Sequence, residues 1–257
     1  MYFKNTHPKN PLILRIKVQT MANETKKGTL YLVPIPIAEG ALNTLSADVA
    51  LYTGGLTHYF VENVRTARRF LRSLHPVLVI DTLHFSEIDK HTGPDKALFR
   101  KWLKEGHDIG IMSEAGCPGI ADPGSELVHI AQDMGIKVVP LTGPNSLILA
   151  LMASGLNGQS FCFAGYLPVK DPMRMKRIKE LEAISMKEQQ TQLFIETPYR
   201  NDHLLADLFK HCSGKTRLCI AKNITAGDAF IQTKTITDWQ KQKPVLGKDP
   251  AVFLLLG

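Results

Sequence analysis

From Gly28 onward the chain repeats one pattern: a run of four or five apolar residues, a break, then an amphipathic stretch of helical period. Thr29-Leu30-Tyr31-Leu32-Val33 is ended by Pro34 and Pro36, and His58-Tyr59-Phe60-Val61 leads into a helix over 63–74 with Asn63 as its cap. Apolar runs this short read as strands, and strands alternating with helices build a parallel sheet covered on both faces. The same spacing predicts strands at 76–80, 109–112 and 136–139, with helices at 95–104 and 124–134. The fold class is α/β.

A second series begins after 140–144. It reads as helix 145–154, strand 161–163, polar helix 171–186, strand 192–195, helix 201–211 and strand 217–221. Residues 229–236 alternate as an antiparallel strand does, and 252–256 form a last buried strand, so this half carries a mixed sheet. The organisation expected is a basic N-terminal tail over 1–27, an α/β domain over 28–141 and a second α/β domain over 142–257. A chain of 257 residues accommodates two domains of roughly 100–130 residues each.

Charge is concentrated in the tail. Of a net +7, residues 1–27 contribute +5, from six basic residues against Glu24. The body is nearly neutral, so overall basicity says little about nucleic acid. Met21 is a second possible start. Leu12-Ile13-Leu14 is too short and too close to Arg15 and Lys17 for a secretory segment, and no apolar run reaches the roughly 18–20 residues of a membrane span. Four cysteines without a CxxC pair fit a reducing cytoplasm.

Familiar catalytic signatures are missing. No G-x-G-x-x-G follows a strand, and no G-x-S-x-G or H-E-x-x-H occurs. Gly214-Lys215-Thr216 resembles the end of a P-loop, but Phe209 stands where that motif needs glycine. His84 and His91 lack partners at metal-ligand spacing, so no metal is expected.

The informative segment is Ser113-Glu114-Ala115-Gly116-Cys117-Pro118-Gly119-Ile120-Ala121-Asp122-Pro123-Gly124. It follows a strand and opens a helix, and its glycines and prolines leave backbone exposed to a ligand. Thr142-Gly143-Pro144-Asn145-Ser146 and Glu196-Thr197-Pro198-Tyr199-Arg200 are two further strand-end junctions. All three can converge on a cleft between the halves.

These segments carry a family likeness. The chain resembles the tetrapyrrole methylase superfamily of S-adenosylmethionine (SAM)-dependent methyltransferases, and within it the small-subunit rRNA (cytidine-2′-O)-methyltransferases. That group's L-Y-V-V-A-T-P-I start is similar to residues 30–37, its S-D-A-G-T-P-x-I-S-D-P-G loop to 113–124, and its P-G-P-x-A segment to 142–146. Its F-x-F-x-G-F-L-P block is similar to 161–168 and its E-S-P-H-R to 196–200. The resemblance implies two α/β domains with SAM in the cleft between them and a homodimer. It also implies cofactor contacts from Ala115, Gly116, Cys117, Ile120, Asn145, Ser146, Glu196 and Ile224. The departures lie on the substrate side. The family's Gly-Asn is Ala38-Glu39, its A-E-D-T-R is Val61-Glu62-Asn63-Val64-Arg65, and its H-N-E is His91-Thr92-Gly93.

A hydroxyl acceptor needs help to lose its proton, and Glu62 and Glu114 are the strand-end carboxylates available as catalytic groups. Arg65, Arg68, Arg69 and Arg72 fall at i, i+3, i+4 and i+7, one helix face without an acid, and suit phosphate. The acceptor is then RNA, with rRNA ribose as the leading reading. A small acidic molecule such as a tetrapyrrole, or a SAM-binding regulator without catalysis, stays open.

Overall fold

The computed structural model describes residues 27–242 and 244–257. The expected tail therefore lies almost wholly outside the described residues. The first half runs β1 (Leu30–Leu32), α1 (Ala47–Thr53), β2 (His58–Val61), α2 (Val64–Leu74), β3 (His84–Glu87), α3 (Lys96–Lys104), β4 (Ile109–Met112), α4 (Ser125–Asp133) and β5 (Val138–Pro140). Its five strands lie in the order β3-β2-β4-β1-β5, and every neighbouring pair is parallel. Apolar clusters cover both faces. Val49, Ala67, Phe70 and Leu71 of α1 and α2 pack on one. Phe99, Leu103, Leu127 and Ile130 of α3 and α4 pack on the other. That burial explains why β2 and β4, buried at every position, are mostly apolar and were legible as strands.

The second half runs α5 (Ser146–Ser154), β6 (Phe161–Tyr166), α6 (Met173–Glu188), β7 (Thr191–Ile195), α7 (Asn201–His211), β8 (Arg217–Lys222), β9 (Phe230–Thr235), α8 (Ile236–Gln242) and β10 (Ala251–Leu256). The order β6-β7-β10-β8-β9 is mixed: β6 and β7 are parallel, and the other pairs are antiparallel. Helices α6, α7 and α8 cover one face with Ile178, Leu181, Leu204, Leu208 and Trp239. Helix α5 covers the other with Leu147, Ala150 and Leu151. No helix among the described residues is long and apolar enough to cross a membrane.

The strand expected over 76–80 does not exist. After α2 the chain makes a surface loop in which Val77 is 95% and Val79 63% exposed, then a 3-10 turn at Ile80–Thr82. The edge strand is β3, which follows. An edge strand needs only part of its surface buried, so β3 is mostly polar and the apolar run before it misleads. Helices α1 and α8 were not foreseen either.

Candidate functional site

The loops leaving β1 and β4, neighbours in the sheet, are clamped together. Ile35 and Gly116 exchange two backbone hydrogen bonds of 2.9 Å. Gly116 has φ +72°, a conformation costly for any residue with a Cβ. The segment crossing to the second sheet closes the other side. The Cys117 thiol donates to the Pro144 carbonyl at 3.4 Å, and a side chain at Gly143 would run into the Pro34 ring. Asn145 caps α5, its Oδ1 accepting from Leu147 and Ile148 N–H at 3.0 and 3.1 Å.

Two adjoining cavities open between the halves. A cavity of about 560 Å³ has Ala115, Ser146, Glu196 and Ile224 in its walls. A smaller one of about 140 Å³ is lined by Ala115, Gly116, Cys117, Ile120, Asn145 and Ser146. The two share Ala115, Ser146, Tyr166 and Ile195. All eight residues expected at the cofactor therefore line one or the other of these adjoining cavities. Sequence reasoning missed Tyr166, although it sits in the family-like block 161–168. It also missed Ala251 and Val252, whose apolar run signals a buried strand but not a ligand.

Glu196 lines this cleft, yet its carboxylate is committed elsewhere. The side chain is fully buried, with Arg200 at 2.6 Å, Arg174 at 3.5 Å and the Thr197 N–H at 2.7 Å. Burial alone would raise its pKa. The hydrogen bonds from Arg200 and Thr197 and the two guanidinium charges outweigh burial and hold the carboxyl below the usual carboxylate range. Arg174 also meets Asp207 at 3.0 Å and is itself buried. Arg174 is thus an internal ion-pair partner, unlike the exposed Lys176 and Lys179 of the same helix.

In the first half of the chain the carboxylates are arranged differently. Glu62, one residue past β2, accepts the Glu114 backbone N–H at 3.1 Å and meets Lys90 at 3.4 Å. Its partner is thus Lys90 rather than the adjacent Arg65. Asp122, in the same loop as Glu114, has its carboxyl pushed up to about 6 by burial and then by the Glu62 charge, against the Ser113 hydroxyl and Lys90. Asp122 lines the smaller cavity and follows Ala121, a non-glycine residue at φ +61°. The sequence reading passed over it because its neighbour Glu62 is distant along the chain.

Arg65, Arg68, Arg69 and Arg72 line a surface groove of about 770 Å³ beside α2, with Asn63 and Glu87. The face is not free of acid, because Asp81 from the following 3-10 turn pairs with Arg68. Asn63, where the family pattern has aspartate, caps α2 by accepting the Thr66 N–H at 3.0 Å. His84 and His91 do not meet as a ligand pair. His84 instead stacks on His58, which stacks on His107, at centroid distances of 4.7 and 4.0 Å. Asp171, Asp207 and His211 bring ligand atoms within 4.8 Å of one another, but Arg174 already neutralises Asp207.

The family model for tetrapyrrole (corrin/porphyrin) methylases matches residues 29–239. The chain is 33% identical over 231 residues to ribosomal RNA small subunit methyltransferase I of Vibrio cholerae serotype O1, covering 89% of this chain and 77% of that protein. It is 31% identical over 226 residues to the protein of that name from Bacillus subtilis, covering 86% and 73%. Among solved structures, the methyltransferase CobJ aligns with a TM-score of 0.59 at 14% identity over 90% of this chain and 94% of that one. Uroporphyrin-III-C-methyltransferase from Thermus thermophilus aligns at 0.50 and 17% over 89% and 92%. These last two share the fold.

Proposed function

We infer the reaction from one premise, that this chain belongs to the tetrapyrrole methylase family and is an S-adenosylmethionine-dependent methyltransferase: its acceptor is a ribose 2′-hydroxyl of small-subunit ribosomal RNA. The observation that carries the cofactor site is the convergence of Ala115, Gly116, Cys117, Ile120, Asn145, Ser146, Glu196 and Ile224 on one cleft. The cleft fits the group. Its size is that of a small-ligand site, and Ala38, Ala115, Ala221 and Ala226 keep its walls low. Bound SAM supplies a methyl already activated on a sulfonium. Loop 113–124 and Ser146 would hold it largely through backbone, while Glu196 keeps the second-domain wall in shape through its arginine pairs rather than offering a free carboxylate.

What remains for the protein is to place the hydroxyl and receive its proton. Asp122 is suited to that, since a carboxyl with a pKa near 6 is ionised at neutral pH and still basic enough to accept. Glu62 positions it by raising its affinity for a proton, and Glu114 stands beside it on the acceptor side. The arginine groove carries RNA phosphates, which guanidinium groups bind as forks. The relatives' names weigh against the small-molecule and regulator readings. We read the working state as a homodimer in the cytoplasm. The exposed Ile148 and Met152 on α5 offer apolar surface for a second copy, and a single species near 28.6 kDa in sedimentation at micromolar protein overturns this part.

The test is transfer of radiolabel from SAM to small ribosomal subunits, followed by nuclease digestion and chromatography for a 2′-O-methyl nucleoside. Gly116→Leu is the control, expected to lose SAM binding in calorimetry. Label found only in a small-molecule fraction, or none with an active SAM site, overturns the reading.

A further inference from the structure

The larger cleft cavity is not closed on the first-domain side. Ile37, Ala38, Glu39 and Ala115 line it and also line a further cavity of about 500 Å³. The far wall of that cavity is α2, through Thr66, Arg69, Phe70 and Ser73. These positions fall at i, i+3, i+4 and i+7, so they form one face of the helix. The arginine stripe is the neighbouring face, and Arg69 belongs to both. Cofactor cleft, α2 cavity and basic groove therefore lie in a row, with shared walls at each junction.

We propose that the α2 cavity receives the acceptor nucleotide, swung out of its RNA strand, with Arg69 on a phosphate at the cavity mouth. The assignment rests on the methyltransferase reading above. Transfer requires the acceptor oxygen within about 3–3.5 Å of the methyl carbon, so the acceptor must sit in a space continuous with the cofactor cleft. The cavity beneath Cys117 is also continuous with it, but at about 140 Å³ it is too small for a nucleotide; it holds Asp122 and shares Ala115 with the α2 cavity, so only the acceptor hydroxyl is placed at that junction. The α2 cavity has the size of a small-ligand site.

Its walls suit a nucleoside. Pro36, Leu42 and Phe70 offer apolar surface for base and sugar, and the Thr66 hydroxyl and the Glu114 carboxylate offer polar contacts. A base-paired helix does not enter such a space, so the target is an unpaired nucleotide or one flipped from its stack. Arg69 then has two tasks. It binds RNA with the rest of the stripe, and it sets where the nucleotide enters.

Ser73 is exposed on α2, so a bulky residue there fills the cavity without disturbing the core. Ser73→Trp is expected to bind SAM and ribosomal RNA like the unmodified protein and to transfer methyl about 100-fold more slowly. Ser73→Cys gives a readout independent of turnover. Saturating RNA should slow its alkylation by maleimide, followed by peptide mass spectrometry, while the exposed Cys162 reacts equally with and without RNA. Saturating RNA should also restore full kcat to Arg72→Ala but not to Arg69→Ala. Normal turnover by Ser73→Trp, or an alkylation rate at Ser73→Cys indifferent to RNA, overturns the assignment of this cavity. If the unmodified protein methylates no RNA, the functional reading fails and this assignment falls with it.

Discussion

Glu62 and Glu196 each stand one residue past the end of a strand, β2 and β7, and the fold treats them in opposite ways. Glu196 is fully buried, faces two arginines and accepts a backbone N–H, so its charge is matched and its pKa depressed. Glu62 is nearly buried too, but it faces one exposed lysine and lies near two further carboxyl groups, Glu114 and Asp122. Burial first, and the unmatched Glu62 charge second, raise the pKa of Asp122. The lesson is that a matched acid at a strand end braces the fold, whereas burial beside surplus acids leaves one of them able to take up a proton near pH 6.

The largest expected effect separates the two on stability. Glu196→Ala removes a fully buried acid that holds both Arg174 and Arg200 and should cost about 1–3 kcal/mol in urea unfolding, less than a fully stranded charge because Asp207 still pairs with Arg174. Glu62→Gln, with a solvent-exposed partner, should cost less than about 1 kcal/mol. Equal losses would erase the distinction.

Asp122→Asn acts on rate instead. Methyl transfer at neutral pH should fall about 100-fold, and the rise of activity through the Asp122 pKa of about 6 should vanish from the pH profile. Stability moves the other way. The folded pKa lies above the ordinary 3.8, so the stabilising share of Asp122 is whole below 3.8 and is lost as pH rises through about 6. Asp122→Asn should therefore stabilise the protein above that pH by at most about 1 kcal/mol, after allowing for solvent screening, and make no difference in acid. Lys90→Met removes a charge that favours ionised Asp122 and should shift the activity rise to higher pH with little change in the plateau rate.

The arginines sharpen the same comparison on the smallest scale. Arg68 is matched by Asp81, while Arg72 has no ion-pair partner among the described residues. Arg72→Ala should lower the salt slope of RNA binding by about one unit, and Arg68→Ala by less, as read from affinities over a salt series.

Much of the cleft was legible before any coordinates. In loop 113–124 and at Asn145 the deciding forces act between a side chain and its own backbone. A glycine permits φ +72°, a proline stops a strand, and an asparagine caps the next helix. The strand misplaced to 76–80 shows the limit of that logic. Hydropathy locates a strand through burial, and an edge strand is only partly buried, so Val77 and Val79 drew attention that His84–Glu87 deserved.

Periodicity and turn chemistry in the sequence by themselves determined the α/β alternation and the mixed character of the second half, and the family resemblance pointed to residues that the fold gathers along the cleft between the halves. Only the tertiary structure decided which charges are free. It brought Glu62 to the Glu114 amide across 52 residues, set Asp81 on Arg68, and buried Arg174 between Glu196 and Asp207. The division has a physical cause. Backbone conformation is governed by sterics and hydrogen bonds within a few residues, whereas the state of an ionisable group depends on desolvation and on charges near it in space, whatever their distance along the chain.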